Sequence, residues 1–175
     1  MFSAILNFLK SLWQDYKTIF TLYNVMDTPT EATPIETLTP KEKMLVAANR
    51  FIGMDASPED NVPDEVGCVE SIVNIIKDVY PDFPTIYHTM LLYYELVKNP
   101  NFKSTLEIKP GHLIVSPTGS GNGTVRGHCG VVAEDNKIIS SNSTTGKWES
   151  NYTLNGWIDS FRVKGGLRIY VFEPI

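Results

Sequence analysis

Apolar residues recur at helical spacing up to Val97 and in short strand-like runs beyond Pro110-Gly111, so the chain changes its backbone period once. Thr39-Pro40-Lys41-Glu42 joins an N-cap Thr, a Pro at the first helical position and a capping-box Glu, which predicts a helix start there. Met44, Ala47, Ala48 and Phe51 line one face of this helix, and Gly53 ends it. Val69, Ile72, Val73, Ile76 and Val79 predict a second helix, starting near Cys68 and stopped by Pro81. Roughly residues 84–98 predict a third, with Tyr87, Met90, Leu91, Tyr94 and Val97 on one side. Strands are expected at Leu113-Ile114-Val115, from His128 to Val132, from Lys137 to Asn142 and from Leu167 to Phe172. Asp135-Asn136 reads as a hairpin turn, and Trp148, Tyr152 and Trp157 fall in a polar excursion after the hairpin. Helices followed by strands specify an α+β fold, and the short strand connections predict an antiparallel sheet.

Three segments divide the 175 residues. Residues 1–25 predict an amphipathic helix, with Phe2, Ile5, Leu6, Leu9, Leu12, Trp13 and Tyr16 among its apolar positions. That stripe suits packing on the main domain or on a partner chain, or lying on a membrane surface. Residues 26–39 are a Thr/Pro-rich linker, in which Pro29 and Pro34 disfavour helix. Residues 40–175 form the main domain. The N-terminus makes a poor signal peptide, because residues 1–9 carry no Lys or Arg.

Charge narrows the function. Fifteen Lys+Arg stand against 20 Asp+Glu with no basic cluster, which argues against nucleic acid as a partner. Two cysteines, Cys68 and Cys129, are too few for a disulfide scaffold, and no C-x-x-C pair suggests a metal site. No cofactor is expected.

One constellation fits covalent chemistry. Cys68 follows Gly67 at the mouth of the second helix, where the helix dipole favours a thiolate. Its own backbone N–H is a ready oxyanion donor. Asn61, Glu70 and Tyr87 are equal candidates for a second donor. His128, opening a strand, is the candidate general base. His112 is a rival, whereas His88 reads as a packed mid-helix residue. Ser140 and Asn142 share one face of the following strand, and either could orient the imidazole; Asn142 is preferred for its reach. His128 and Cys129 adjoin on one strand and should face opposite ways. A Cys68–Cys129 bridge and a Cys68–His128 dyad are therefore near-exclusive expectations, and the dyad is preferred. Trp148, Tyr152 and Trp157 suit a substrate groove or the core equally.

At Gly67-Cys68-Val69-Glu70-Ser71-Ile72, Pro110-Gly111-His112-Leu113-Ile114-Val115, Gly127-His128-Cys129-Gly130-Val131-Val132 and Lys137-Ile138-Ile139-Ser140-Ser141-Asn142, the chain resembles the NlpC/P60 and CHAP group of papain-like cysteine peptidases and amidases. The resemblance covers roughly residues 40–175. It departs at Gly67-Cys68-Val69, where the group commonly has Asp-Cys-Ser, and at Pro110-Gly111-His112, where it often has Pro-Gly-Asp. The resemblance implies a papain-like α+β fold with N-terminal helices packed on an antiparallel sheet. It also implies Cys68 as nucleophile, His128 as base and Ser140 or Asn142 as third member. The implied activity is cleavage of peptide or amide bonds in bacterial peptidoglycan, often in phage endolysins, acting on the wall after release or from a virion. Two other functions fit the same residues. One is a non-hydrolytic module using helix 2–25 for assembly or membrane docking. The other is an acyltransferase or deamidase using the same dyad.

Overall fold

The expected capping box does form. The Thr39 backbone N–H and hydroxyl both donate to the Glu42 carboxylate, at 2.7 and 2.6 Å, and start α1, Pro40–Arg50. The computed structural model describes residues 37–58 and 67–175. The expected helix 2–25, nearly all of the linker, and Asn61 lie outside the described residues. From Leu38 onward the chain forms one compact unit.

Two more long helices follow: α2, Gly67–Val79, and α3, Thr89–Lys98. The third helix starts later than its periodicity predicts. His88 is its N-cap, not a mid-helix residue: the ring Nδ1 accepts from the Met90 N–H at 3.2 Å, which satisfies an otherwise orphaned donor. The buried face also differs. Thr89, Leu92 and Leu96 point inward, while Leu91, Tyr94 and Val97 are exposed. An apolar stripe on both sides of the helix leaves the choice of face to its neighbours.

Six strands form one antiparallel sheet in the order β1-β6-β2-β3-β4-β5. They are β1 Phe102–Thr105, β2 Leu113–Ser116, β3 His128–Val132, β4 Lys137–Asn142, β5 Lys147–Thr153 and β6 Tyr170–Pro174. The class is α+β, as the period change predicts. β1 and β5 were not expected, because their residues are too polar to stand out as strands. The last strand also begins later than Leu167. Asp135 and Asn136 make the β3–β4 turn with φ of 55 and 56°, a left-handed conformation that Asp and Asn tolerate well.

Both faces of the sheet are covered. On one face α1, α2 and α3 enclose Met44, Ile72, Ile76, Leu92, Val115, Cys129, Val131 and Trp148. On the other, a short helix α4, Leu154–Trp157, runs into a π-helical stretch, Ile158–Lys164. This side buries Ile114, Val132, Ile138, Trp157 and Val171. Every residue of β2 is consequently buried, with alternate side chains serving the two clusters. Trp148 and Trp157 are core residues rather than groove linings. The Trp148 indole donates to the Ala48 carbonyl at 3.0 Å, and that of Trp157 to the Ser116 hydroxyl at 2.9 Å.

Candidate active site

The loop before α2 is held by backbone pairing to the start of β5. Gly53 N–H donates to Trp148 O, Trp148 N–H to Met54 O, and Ala56 N–H to Gly146 O, at 2.9, 3.0 and 2.9 Å. Side chains of α2 grip the same loop. The Ser71 hydroxyl donates to Ala56 O at 2.6 Å, and the Ser57 hydroxyl to the buried Glu70 carboxylate at 2.7 Å. A Cβ on Gly67 would sit 3.2 Å from Ala56 O, so glycine lets the loop and helix approach. Cys68 is thereby fixed as the second residue of α2, among the first four N–H groups, which have no intrahelical acceptor.

His128 is the first residue of β3 and shares the floor of one cavity with Cys68. This cavity is about 380 Å³ and is also lined by Arg126, Ser141, Asn142, Asn151, Tyr152 and Phe161. The imidazole stacks against Trp157 and Phe161, with ring centroids at 5.3 and 5.4 Å, and these two rings touch each other at 4.6 Å. Strand alternation thus puts it on the π-helix side of the sheet and Cys129 on the α2 side. Yet both residues engage Cys68, so Cys129 does not face away from it as alternation predicts, although no bridge forms. The Cys129 thiol donates to the Cys68 carbonyl at 3.1 Å and also lies against the Cys68 sulfur. At the strand's first residue there is no further sheet to separate the two faces. Both cysteines are free thiols.

The Cys68 thiol is only 8 % exposed, and its pKa lies well below the ordinary cysteine value. The largest cause is the adjoining Cys129 thiol, whose proton can turn from the Cys68 carbonyl oxygen to its sulfur. Burial opposes it, and the hydrogen bond and positive charge of His128 add to the lowering. Cys129, fully buried, is pushed the other way by desolvation and by the neighbouring sulfur, so it keeps its proton. Alkylation by iodoacetamide checks this arrangement. Cys68 should react with a midpoint well below the ordinary thiol value of about 8.5. Cys129→Ala should move that midpoint upward, and an unmoved midpoint would remove Cys129 from the account.

Of the two candidates for orienting the ring, Ser140 reaches it and the preferred Asn142 does not. The Ser140 hydroxyl is 3.1 Å from His128 Nε2. Asn142 is occupied elsewhere: its amide donates to Glu149 at 2.8 Å and its carbonyl accepts from the Thr144 N–H at 3.0 Å. It lines the cavity without orienting the ring. Behind Ser140 stands Asn151, which the sequence reading did not single out; the Ser140 hydroxyl donates to its Oδ1 at 2.7 Å. The rival His112 is buried beyond the far end of β2, its Nδ1 3.0 Å from the Glu107 carbonyl oxygen. Glu70 accepts from Ser57 and Tyr87 is partly exposed before α3, and neither lines the cavity that holds Cys68. Tyr152 lines the cavity, the one aromatic of the expected trio that does.

Gly127 controls the approach to His128. Its N–H donates to the Thr118 hydroxyl at 2.8 Å, and a Cβ there would overlap the Ser116 carbonyl oxygen and the Thr118 nitrogen. Backbone atoms cannot swing aside, so Gly127→Ala must displace the start of β3. We expect a loss of about 1–3 kcal/mol in urea unfolding. The shifted strand should also move the His128 ring, read as a change in its NMR shifts in the folded protein. Wild-type stability and unmoved His128 shifts in this variant would contradict the tight approach.

No protein-family model matches the chain, and no curated protein matches it either.

Proposed function

We propose that the chain is a thiol hydrolase that cuts peptide or amide bonds in bacterial peptidoglycan, with Cys68 as nucleophile and His128 as general base. The observation that carries this reading is the Cys68 thiol at a helix N-terminus, in one cavity with an imidazole whose Nε2 meets the Ser140 hydroxyl. A nucleophile on α2, with base and orienter on the neighbouring strands β3 and β4, is the arrangement a papain-like fold would use. The peptidoglycan substrate class comes from the sequence resemblance.

The reaction follows from the proton inventory. The Cys68 thiolate attacks the scissile carbonyl while the imidazolium holds the thiol proton. The Cys68 N–H donates to the developing oxyanion. Collapse passes the proton to the departing amine and leaves a thioester on Cys68. Water, deprotonated by His128, then releases the acid and restores the thiol.

The walls are polar, and Arg126 adds a charge beside Cys68 and His128. Ser141, Asn142, Ser143 and Thr144 separate the 380 Å³ cavity from a second of about 560 Å³, lined also by Asp55, Ser57 and Lys147. A peptide lying across this turn would meet hydroxyls and amides on both sides.

Digestion of purified peptidoglycan, with the fragments sized by mass spectrometry, tests the reading. The expected result is soluble fragments carrying one new amine and one new carboxyl per cut. Sacculi of several stem and cross-bridge compositions that all stay intact would reject it.

A further inference from the structure

We propose that Asn151 is a positioning residue that selects the tautomer of His128, holding the ring proton on Nε2 and leaving the Nδ1 lone pair for the Cys68 sulfur. This rests on the reading of Cys68 and His128 as a reacting pair.

The argument starts at a backbone carbonyl. Asn151 Nδ2 lies 3.2 Å from the Ser141 carbonyl oxygen, which can only accept. The amide orientation is thereby set, and Oδ1 must be the atom facing Ser140. Oδ1 also can only accept, so the single Ser140 hydroxyl proton is committed to it across 2.7 Å. Towards His128 Nε2, at 3.1 Å, the Ser140 oxygen then has only lone pairs to offer. Nε2 must carry the hydrogen in the neutral ring, and Nδ1 is the basic nitrogen.

Reversing the chain would require flipping the Asn151 amide. Its Oδ1 would then face the Ser141 carbonyl with no proton between two acceptors. Ser140 is fully buried, so solvent cannot repair the mismatch. The direction of all three hydrogen bonds is therefore set at the end farthest from the sulfur.

Asn151 reaches this position through a β-bulge. Ile138 pairs with Tyr152 but Ile139 pairs with Ser150, so Asn151 is the extra residue of β5. The bulge turns two successive side chains towards one face. Asn151 meets Ser140, and the Tyr152 ring lies 5.9 Å from that of His128. A regular strand could not offer both.

The test is nitrogen NMR of the full chain with labelled histidine, in a Cys68→Ala background so that no thiolate perturbs the ring. The pH is raised until the ring nitrogen shifts stop changing, so that the neutral form is the one read. The chain has three histidines, and His128→Gln identifies the relevant resonances by their loss. The expected result is one tautomer, protonated at Nε2. An Nδ1-protonated ring overturns the proposal. Adding Asn151→Ala frees the Ser140 proton and should convert the single tautomer into a mixture; an unchanged pure Nε2–H ring overturns it as well. With Cys68 restored, Asn151→Ala should slow iodoacetamide alkylation near neutral pH about tenfold, part of what a positioned base supplies. The tautomer is read without substrate, so failure to cut peptidoglycan and failure of this assignment are separate results.

Discussion

Cys68→Ala should abolish turnover, with kcat/KM falling at least about 10⁴-fold, while the protein still folds. Cys68→Ser should be nearly as inactive, because a hydroxyl in the same place has no lowered pKa and His128 alone would have to deprotonate it. The measurement is fragment release from peptidoglycan by equal amounts of folded protein, with circular dichroism as the folding check. Activity within tenfold of wild type in either variant would remove Cys68 from the chemistry.

The same variant carries a stability signature. The Cys68 pKa is lower in the folded protein than in the unfolded chain. Unfolded protein therefore binds more protons between the two values, and stability rises with pH across that window. The contribution is complete above the unfolded value of about 8.5 and is lost as pH falls through the folded one. In Cys68→Ala this part of the pH dependence should vanish. Urea midpoints followed through that window, in wild type and variant, measure it directly. Parallel curves would mean that the thiolate is not stabilised by the fold.

The second large effect is expected at Trp148→Ala, far from the sulfur in sequence but structurally upstream of it. The side chain is fully buried on the helix face of the sheet. Its indole N–H also satisfies the carbonyl of Ala48, in the last turn of α1, where helical carbonyls have no partner further along the helix. Truncation should cost about 3–5 kcal/mol, the usual range for a buried tryptophan. That is a large share of the roughly 5–15 kcal/mol that holds a domain of this kind together. Trp148→Phe keeps most of the ring volume and orphans only the carbonyl, so it should cost about 1–3 kcal/mol. Denaturant unfolding of both variants orders them. A loss below about 1 kcal/mol for the alanine variant would mean that β5 is not anchored through this ring. Because Trp148 also pairs with the backbone of residues 53 and 54, the loop that carries Ala56 and Ser57 to α2 should loosen with it.

Much of the framework was legible from local pattern. The Thr39–Glu42 capping box, the α2 stripe and the Asp135-Asn136 turn are short-range features, and each forms where the spacing predicts, whereas α1 ends at Arg50, ahead of the expected stop at Gly53. The position of Cys68 at the mouth of α2 is legible for the same reason. His128 opening β3 and Ser140 on β4 follow from alternation within a single strand.

Register and burial are non-local, and there the pattern ran out. Asn142 and Ser140 are equivalent by alternation, and the contest was settled by Glu149 and Thr144, which occupy Asn142 across the β4–β5 turn. Asn151 carries no local mark at all, since the bulge that aims it exists only through pairing with Ile138 and Ile139. The contact between Cys129 and Cys68 likewise depends on how α2 lies against the end of β3. The amino-acid order alone thus specified α1, α2, the strands β2, β3 and β4 and the candidate pair Cys68 and His128, because those depend on neighbours a few residues away. Which polar group holds the imidazole, and why the thiol is acidic, depended on packing between segments up to 61 residues apart in the chain.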